Sequence, residues 1–254
     1  MRIQCVTTCS AAQWELYGRR MAETFVKYWE GPTLTIYGDG DCPADCPAGV
    51  QWRNLPLWHN TFKLSLVDNR DAHGYSRRSA KGPGKYDFRF DCVRFSHKIA
   101  AITDAALRKE HVPVDLLVWI DADTFTDKPI TSDIVARWRA CDGYISCLFR
   151  DKLYPECGFM IFECRHKTHR VFMDQLRKLY MNHECLRYQE THDSYIVMCH
   201  VRRFVGSGAI GEPYSLSGKH SGKHHVFVAS EIGQYMDHLK GGRKVVGKSV
   251  ERGQ

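Results

Sequence analysis

The sequence predicts an α/β fold: a mostly parallel, twisted sheet with helices on both faces, in a single domain over residues 1–254. Three observations predict this fold. Strand-like and helix-like segments alternate, no internal repeat or long linker divides the chain, and residues 115–120 are almost wholly apolar. Such an apolar run is typical of a central parallel strand that is covered on both faces.

The first half of the chain alternates strands and helices. Apolar residues at helical spacing predict a helix over residues 11–29, and Ser10 precedes it as a candidate N-cap. A β-rich run ends where Gly38 and Gly40 mark a turn. The elements predicted in this half are strands at residues 3–8, 33–37 and 115–120, and helices at residues 11–29 and 93–107.

The second half continues the same alternation. It predicts helices at residues 130–140, 167–181 and 191–200, and strands at residues 143–149 and 158–162.

Two segments do not follow this alternation of strands and helices. We call residues 75–94, which are rich in Arg and Lys, the basic loop, and residues 218–254, which are rich in Gly, Lys and His, the closing segment. Long loops in a compact domain are usually functional or mobile.

Composition narrows the class of protein. The chain has 36 Lys and Arg against 29 Asp and Glu, and a net charge of +7 suits either a polyanionic partner or a nucleoside diphosphate. The hydrophobic content of 43% excludes a disordered chain. No uncharged apolar stretch approaches the roughly 20 residues of a membrane span, and no signal region begins the chain. The sequence also has eleven cysteines, largely within apolar runs. Together these features predict a cytoplasmic protein whose thiols are reduced.

The best chemical signal is a pair of aspartates at the end of the apolar strand. Asp121 and Asp123 directly follow the run that ends at Ile120. Ligands of open α/β sheets bind beyond the carboxyl ends of strands, and carboxylate oxygens are the ligands of hard divalent cations. The pair therefore predicts a metal site that neutralises a diphosphate leaving group. The structural alternative is a turn whose aspartate caps the next helix.

Four motifs together resemble the GT-A glycosyltransferases, which have a Rossmann-like fold and use nucleotide-sugar donors. Residues 119–123 are similar to their strand-terminal DxD, and residues 156–162 to the strand that lines the sugar pocket. Residues 190–194 resemble the polar turn that carries an active-site acid. Residues 238–244 fit the H-x-x-G-x-x-K motif of glycogenin-like enzymes of family eight. The pattern also resembles uncharacterised glycosyltransferases of bacteria and phages.

The resemblance implies a UDP-sugar as donor and Mn²⁺ or Mg²⁺ as cofactor. The implied metal ligands are Asp121, Asp123 and His238. The donor-binding residues indicated by the resemblance, by strand ends and by a helix start are Thr7, Thr8, Tyr37, Arg94, Lys98, Asp121, Gly158, Gly241 and Lys244. A lysine on a glycine-containing loop also suits a departing diphosphate on physical grounds, because the leaving oxygens need positive charge.

Two catalytic mechanisms remain open. In an inverting enzyme a carboxylate deprotonates the acceptor hydroxyl, and Asp193 and Glu156 are the candidates for that role. In a retaining enzyme of the family-eight kind, the leaving phosphate accepts the proton and Asp193 orients the sugar. The match to H-x-x-G-x-x-K favours the retaining mechanism.

The basic loop bears on the acceptor. Its cations alternate with aromatic residues, and such a pattern suits a phosphate backbone with stacked bases. The cations are Arg77, Arg78, Lys81, Lys85, Arg89 and Arg94. This predicts a hydroxymethylated base in DNA as acceptor, flipped out of a duplex. A glycan, a protein or a small molecule remains open, as do a nucleotidyltransferase and a non-catalytic nucleic-acid-binding module. The oligomeric state is not predicted.

Overall fold

A computed structural model describes residues 1–108, 113–140, 143–150, 153–217, 225–241 and 243–249. These residues form one compact α/β domain. Its strands are β1 (Ile3–Thr8), β2 (Trp29–Glu30), β3 (Thr33–Gly38), β4 (Val50–Asn54), β5 (Leu116–Ile120), β6 (Thr124–Thr126), β7 (Ile130–Thr131), β8 (Ile145–Arg150), β9 (Leu153–Glu163), β10 (Tyr214–Ser215) and β11 (Met236–His238). The main sheet has seven strands in the order β10-β8-β9-β5-β1-β3-β4.

The main sheet is mostly parallel, as the sequence predicts. Strands β1, β3, β4 and β5 run parallel to their neighbours within this group, and β10 runs parallel to β8. Strand β9 is antiparallel to both β5 and β8, so the sheet is mixed. The apolar strand β5 therefore has one parallel neighbour, β1, and one antiparallel neighbour, β9.

The helices are α1 (Ala11–Gln13), α2 (Arg19–Tyr28), α3 (Leu57–Ser65), α4 (Cys92–Leu107), α5 (Ser132–Trp138), α6 (His169–Met181), α7 (Asp193–Gly206), α8 (Val226–Ala229) and α9 (Arg243–Val246). Ser10 is the N-cap of α1, as predicted: its side chain accepts from the Gln13 amide, and the Gln13 side chain accepts from the Ser10 amide. The predicted helix over residues 11–29 is interrupted, because a π-helical turn, Trp14–Gly18, separates α1 from α2.

Two hydrophobic clusters cover the two faces of the main sheet. Helices α4, α6 and α7 bury one face, where Leu117 and Trp119 of β5 contribute to the core. Helices α2, α5 and α8 bury the other, where Val118 and Ile120 of the same strand contribute. Alternate residues of β5 thus enter opposite clusters, as the period of a strand requires. The prediction of helices on both faces is confirmed.

Several predicted boundaries are wrong. The helix predicted at residues 130–140 begins only at Ser132, because Ile130 pairs with Trp29 of β2 and the side chain of Thr131 caps the helix. The helix predicted at residues 191–200 begins at Asp193 and continues to Gly206. Strand β4 and helix α3, which lie between the second predicted strand and the basic loop, were not predicted.

The two long segments are only partly loops. The basic loop contains a 3₁₀ turn, Phe88–Phe90, and its last residues begin α4, which Asp91 caps through the Arg94 amide. The closing segment contains α8, β11 and α9. Its residues 218–224, 242 and 250–254 lie outside the described residues. Within the part of the chain that the structure describes, no helix has the length and apolar character needed to cross a membrane.

Candidate metal and donor site

The two predicted aspartates lie in a turn at the carboxyl end of β5. The Asp121 amide donates to the Gly158 carbonyl (2.9 Å), and the Thr124 amide donates to the Asp121 carbonyl (3.0 Å), which fixes the backbone of the turn. The indole Nε1 of Trp119 donates to Asp121 Oδ1 at 2.7 Å. The side chain of Asp121 therefore has one oxygen held by the strand that precedes it and one oxygen, Oδ2, that faces away from this bond.

Strand β11 brings a histidine to the aspartates. It pairs antiparallel with β6, which places His238 opposite Thr124. His238 Nε2 lies 3.0 Å from Asp123 Oδ1 and 3.5 Å from Asp121 Oδ2. One ligand atom from each of the three residues lies within 4.8 Å of the others. Two carboxylates and an imidazole form a donor set that could hold a divalent metal ion.

Gly158 makes room for this histidine. It lies in β9, beside β5, and a Cβ atom there would lie 2.7 Å from Cε1 and 2.9 Å from Nδ1 of His238. Contacts this short do not occur, so only a glycine allows the imidazole to reach the aspartates. The sequence assigns Gly158 to the sugar pocket; the structure places it directly behind a candidate metal ligand.

Substituting this glycine is expected to damage the metal site. In Gly158→Ala the new methyl group displaces the His238 ring, and we expect Mn²⁺ to bind at least about tenfold more weakly, as when a supporting partner of a metal ligand is lost. Isothermal titration calorimetry measures the affinity. Gly206→Ala is the matched control, because a Cβ atom there meets nothing within 4 Å. Equal Mn²⁺ affinity in the two variants would show that His238 is not a ligand.

A buried lysine bridges two acidic groups behind the cleft. Lys98 Nζ lies 2.9 Å from Asp121 Oδ1 and 2.6 Å from Asp193 Oδ2, and it donates to the Cys157 carbonyl at 2.8 Å. Only 8% of the residue is exposed. Burial by itself lowers the pKa of this ammonium, but the two carboxylates outweigh burial and raise the pKa. Lys98 is thus a fixed positive charge that joins α4 to β5 and α7.

The two candidate catalytic acids are both held by lysines. Asp193 pairs with Lys98, and Glu156 forms an ion pair with Lys240 of the closing segment. Burial raises the pKa of a carboxyl group, yet these cations outweigh burial and leave the pKa of Asp193 and that of Glu156 below their usual values. A carboxylate with a lowered pKa is a weak proton acceptor. This electrostatic setting suits orientation of a substrate better than general-base catalysis.

A cleft of about 290 Å³ opens beside the aspartates at the carboxyl ends of β1, β3 and β5. It is lined by Thr8, Cys9, Ser10, Gln13, Tyr17, Tyr37, Asp39, Leu55, Arg94, Phe95, His97, Lys98, Trp119, Asp121, Ala122, Asp123 and Lys244. Many of the residues that the sequence assigns to the donor thus meet in one cavity. Thr7 does not line it, since its side chain is fully buried. Gly241, with φ +57°, lies in the turn that leads to Lys244 and does not line the cleft.

Ion pairs and hydrogen bonds hold several side chains of the cleft. Beside the candidate metal ligands, Lys244 Nζ lies 2.7 Å from Asp123 Oδ2 and 4.6 Å from the centre of the Tyr17 ring. At the carboxyl end of β3, Asp39 Oδ2 lies 3.7 Å from His97 Nε2, and the Tyr37 hydroxyl donates to Asp104 at 2.8 Å. The cleft thus contains a lysine beside the aspartates and polar groups at the end of β3.

Most cations of the basic loop have partners inside the molecule. Arg78 donates to the Tyr188 carbonyl (2.7 Å), Lys81 donates to the Tyr86 carbonyl (3.2 Å), Arg89 pairs with Asp87 (2.7 Å), and Arg94 donates to the Tyr86 hydroxyl (3.1 Å). Arg77 and Lys85 are exposed and form no ion pair within the described ranges. Much of the charge that suggested a nucleic-acid surface therefore holds the loop together.

Sequence reasoning missed three contributors to the site. Trp119 lies in β5 and precedes Asp121, in the turn that follows, by two residues, so the period of the strand offered a signal for their contact. His97 and Tyr17 reach the cleft from helical segments, and no motif marks them. Neither a protein-family model nor a curated protein matches the chain. The chemistry of the site is therefore inferred from its own contacts.

Proposed function

We propose that this protein is a metal-dependent glycosyltransferase that moves a sugar from a nucleotide-sugar donor, a UDP-sugar, to an acceptor hydroxyl. One observation carries the proposal: Asp121, Asp123 and His238 converge at a strand end, beside a cleft of nucleotide size that holds Lys244. The two carboxylates and the histidine would bind a divalent cation, and the lysine beside them would complement the negative charge of a diphosphate bound to that cation.

The residues of the cleft have separate roles in this reaction. Asp121, Asp123 and His238 would hold a divalent cation, which would supply positive charge for the diphosphate oxygens. Lys244 leaves Asp123 to bind the same oxygens, and Arg94, which is exposed at the cleft edge, adds a second cation. The polar end near Tyr37 receives the nucleoside. Lys98 stays with Asp121 and Asp193 and keeps both carboxylates in place.

The lysine-held carboxylates favour the retaining outcome. The bond from the anomeric carbon to the phosphate oxygen breaks, and a bond from the acceptor oxygen to the same carbon forms on the same face. The acceptor proton passes to the departing phosphate oxygen. No strong base is needed for this transfer, which agrees with the lowered pKa of Asp193 and Glu156. Asp193 serves to orient the sugar.

For the acceptor we propose a hydroxymethylated base in DNA. The support is an exposed surface in which Arg77 and Lys85 accompany the rings of Tyr86 and Phe88, which are 38% and 42% exposed. Arginine and aromatic side chains together suit an unstacked base and its phosphates. Incubation with UDP-sugars, Mn²⁺ and either hydroxymethylated DNA or glycans separates this acceptor from the glycan alternative.

Binding of UDP in the presence of Mn²⁺ tests the proposed function. At concentrations of about 100 times Kd, a ligand stabilises the folded state by about 2.7 kcal/mol, which raises Tm by roughly 5–10 °C for a chain of this size. Differential scanning fluorimetry measures the rise, and UDP with a chelator is the control, because the proposed binding of UDP requires a metal ion held by Asp121, Asp123 and His238. Absence of a shift with every nucleoside diphosphate tried, with Mn²⁺ present, contradicts the proposal.

A further inference from the structure

A line of alternating acidic and basic side chains leads from Glu190 to the candidate metal site. Glu190 Oε2 lies 2.9 Å from His192 Nε2, and His192 Nδ1 lies 3.8 Å from Asp193 Oδ1. The other oxygen of Asp193 contacts Lys98, which in turn contacts Asp121. The first contact is a hydrogen bond, whereas the 3.8 Å separation is too long for one and is a close approach of two packed groups. Each oxygen of the Asp193 carboxylate therefore faces a different, independently held group.

His192 is fixed by the groups that surround it. Only 1% of this residue is exposed, and it directly precedes α7. Four aromatic rings surround the imidazole at centroid distances between 4.5 and 6.3 Å, and they belong to Phe88, Phe95, Tyr154 and Tyr195. A buried ring packed on several sides and hydrogen-bonded at Nε2 has one orientation, so its Nδ1 atom stays directed at Asp193.

The basic loop holds the other end of this line. The Thr191 amide donates to the Arg89 carbonyl at 2.7 Å, and the Arg89 guanidinium lies 3.8 Å from Glu190 Oε1. Arg78 donates to the Tyr188 carbonyl. Glu190 is therefore anchored from two directions: His192 holds one of its oxygens and Arg89 approaches the other. The segment before α7 is tied to the basic loop by both backbone and side-chain contacts.

We propose that Glu190 and His192 are positioning residues that hold the Asp193 carboxylate in a single orientation. The proposal rests on the proposed function, in which Asp193 orients the donor sugar. The buried Asp193 carboxylate has Lys98 at one oxygen and His192 near the other, and these two neighbours would define how its oxygens face sugar hydroxyls. Small errors in the position of a group that orients a substrate strongly reduce the rate of transfer. Loss of a residue that supports such a group typically lowers activity by about 10–100-fold.

Two variants of the full-length protein test the proposal, each with two measurements. Crystal structures of Glu190→Gln and His192→Gln are expected to show a displaced Asp193 carboxylate. Either its Oδ2 atom no longer lies 2.6 Å from Lys98 Nζ, or the carboxylate adopts two orientations. Turnover of the UDP-sugar, measured as UDP release, is expected to show kcat reduced about 10–100-fold, with the Kd for UDP and Mn²⁺ within twofold of the unsubstituted protein. Glu184→Gln, the same chemical change at a carboxylate that contacts Asn182 instead, is the matched control.

The outcomes separate the two proposals. An unmoved Asp193 carboxylate in both variants overturns the positioning role, as does unchanged kcat in a variant whose carboxylate has moved. A weaker Kd for UDP and Mn²⁺ with unchanged kcat also overturns it, because that pattern belongs to a structural role at the metal site. If the unsubstituted protein releases no UDP from any donor but the variants displace Asp193, the glycosyltransferase assignment fails and the positioning of Asp193 stands.

Discussion

If the proposed function holds, sugar transfer is expected to fall by about 100-fold or more in Asp123→Asn. The proposal makes Asp123 a direct metal ligand, and loss of such a ligand costs at least as much as loss of a group that only supports a ligand. Asp123 has two functions: its Oδ1 atom faces His238 Nε2, and its Oδ2 atom pairs with Lys244. An amide keeps the shape of the side chain but removes the charge that holds both the metal and the closing segment. The expected defect is in kcat and in the affinity for Mn²⁺ together.

The measurement is UDP release as a function of Mn²⁺ concentration, with thermal unfolding as a check that the variant is folded. Asp133→Asn is the matched control, because this aspartate lies exposed in the first turn of α5, on an element that supplies no residue to the cleft. Wild-type turnover in Asp123→Asn would remove the metal role from this residue. Loss of turnover in both variants would instead indicate a general effect of reduced charge.

The position of the aspartates was predictable because the strand before them is unambiguous. Five consecutive apolar residues in β5, all buried, end at Ile120, and ligands collect at the carboxyl end of such a strand. His238 was identified only through the resemblance of its motif. It joins the aspartates because β11 pairs with β6, and both strands have only three residues. Pairings this short leave no periodic pattern, so sequence reasoning did not detect either strand.

Other site residues were predictable only in part, because a residue contributes to the site only if its side chain points toward the cleft. The sequence assigns both Thr7 and Thr8 to the nucleoside, yet neighbours in a strand point to opposite faces. Thr8 lines the cleft and Thr7 is buried elsewhere. Similarly, Lys98 was assigned to phosphate at a helix start. Helix α4 begins at Cys92, so Lys98 lies in its second turn and faces the sheet.

The partners of Lys98 explain why its role was not apparent from the sequence. Asp121 lies 23 positions and Asp193 lies 95 positions further along the chain. Helical spacing shows which residues share a face of α4, but it does not show that a long cationic side chain on that face meets two carboxylates. The need for such partners follows from physics, since a buried ammonium requires compensating charge. Their identity depends on how β5 and α7 are placed in three dimensions.

Removal of this lysine is expected to cause a large loss of stability. Lys98→Met preserves much of the length of the side chain. It leaves two carboxylates, Asp121 after β5 and Asp193 at the start of α7, without the cation that they share. Breaking a buried ion pair by removing one partner typically costs about 3–5 kcal/mol in the free energy of unfolding. The carbonyl of Cys157 also loses its donor. Urea denaturation measures the free energy, and Lys178→Met, which breaks an exposed pair with Asp174, is the control.

A second substitution distinguishes charge from packing. In Lys98→Met combined with Asp193→Asn, a neutral amide replaces one of the two carboxylates that have lost their cation. Part of the lost stability should therefore return. Addition of Mn²⁺ should also stabilise Lys98→Met more than the unsubstituted protein, because the cation compensates Asp121 directly. A loss below about 1 kcal/mol in Lys98→Met would mean that water already screens this lysine, as it does for an exposed pair. In that case Asp121 and Asp193 would be independent groups, and the line of charges that joins α7 to the metal site would carry no energetic coupling.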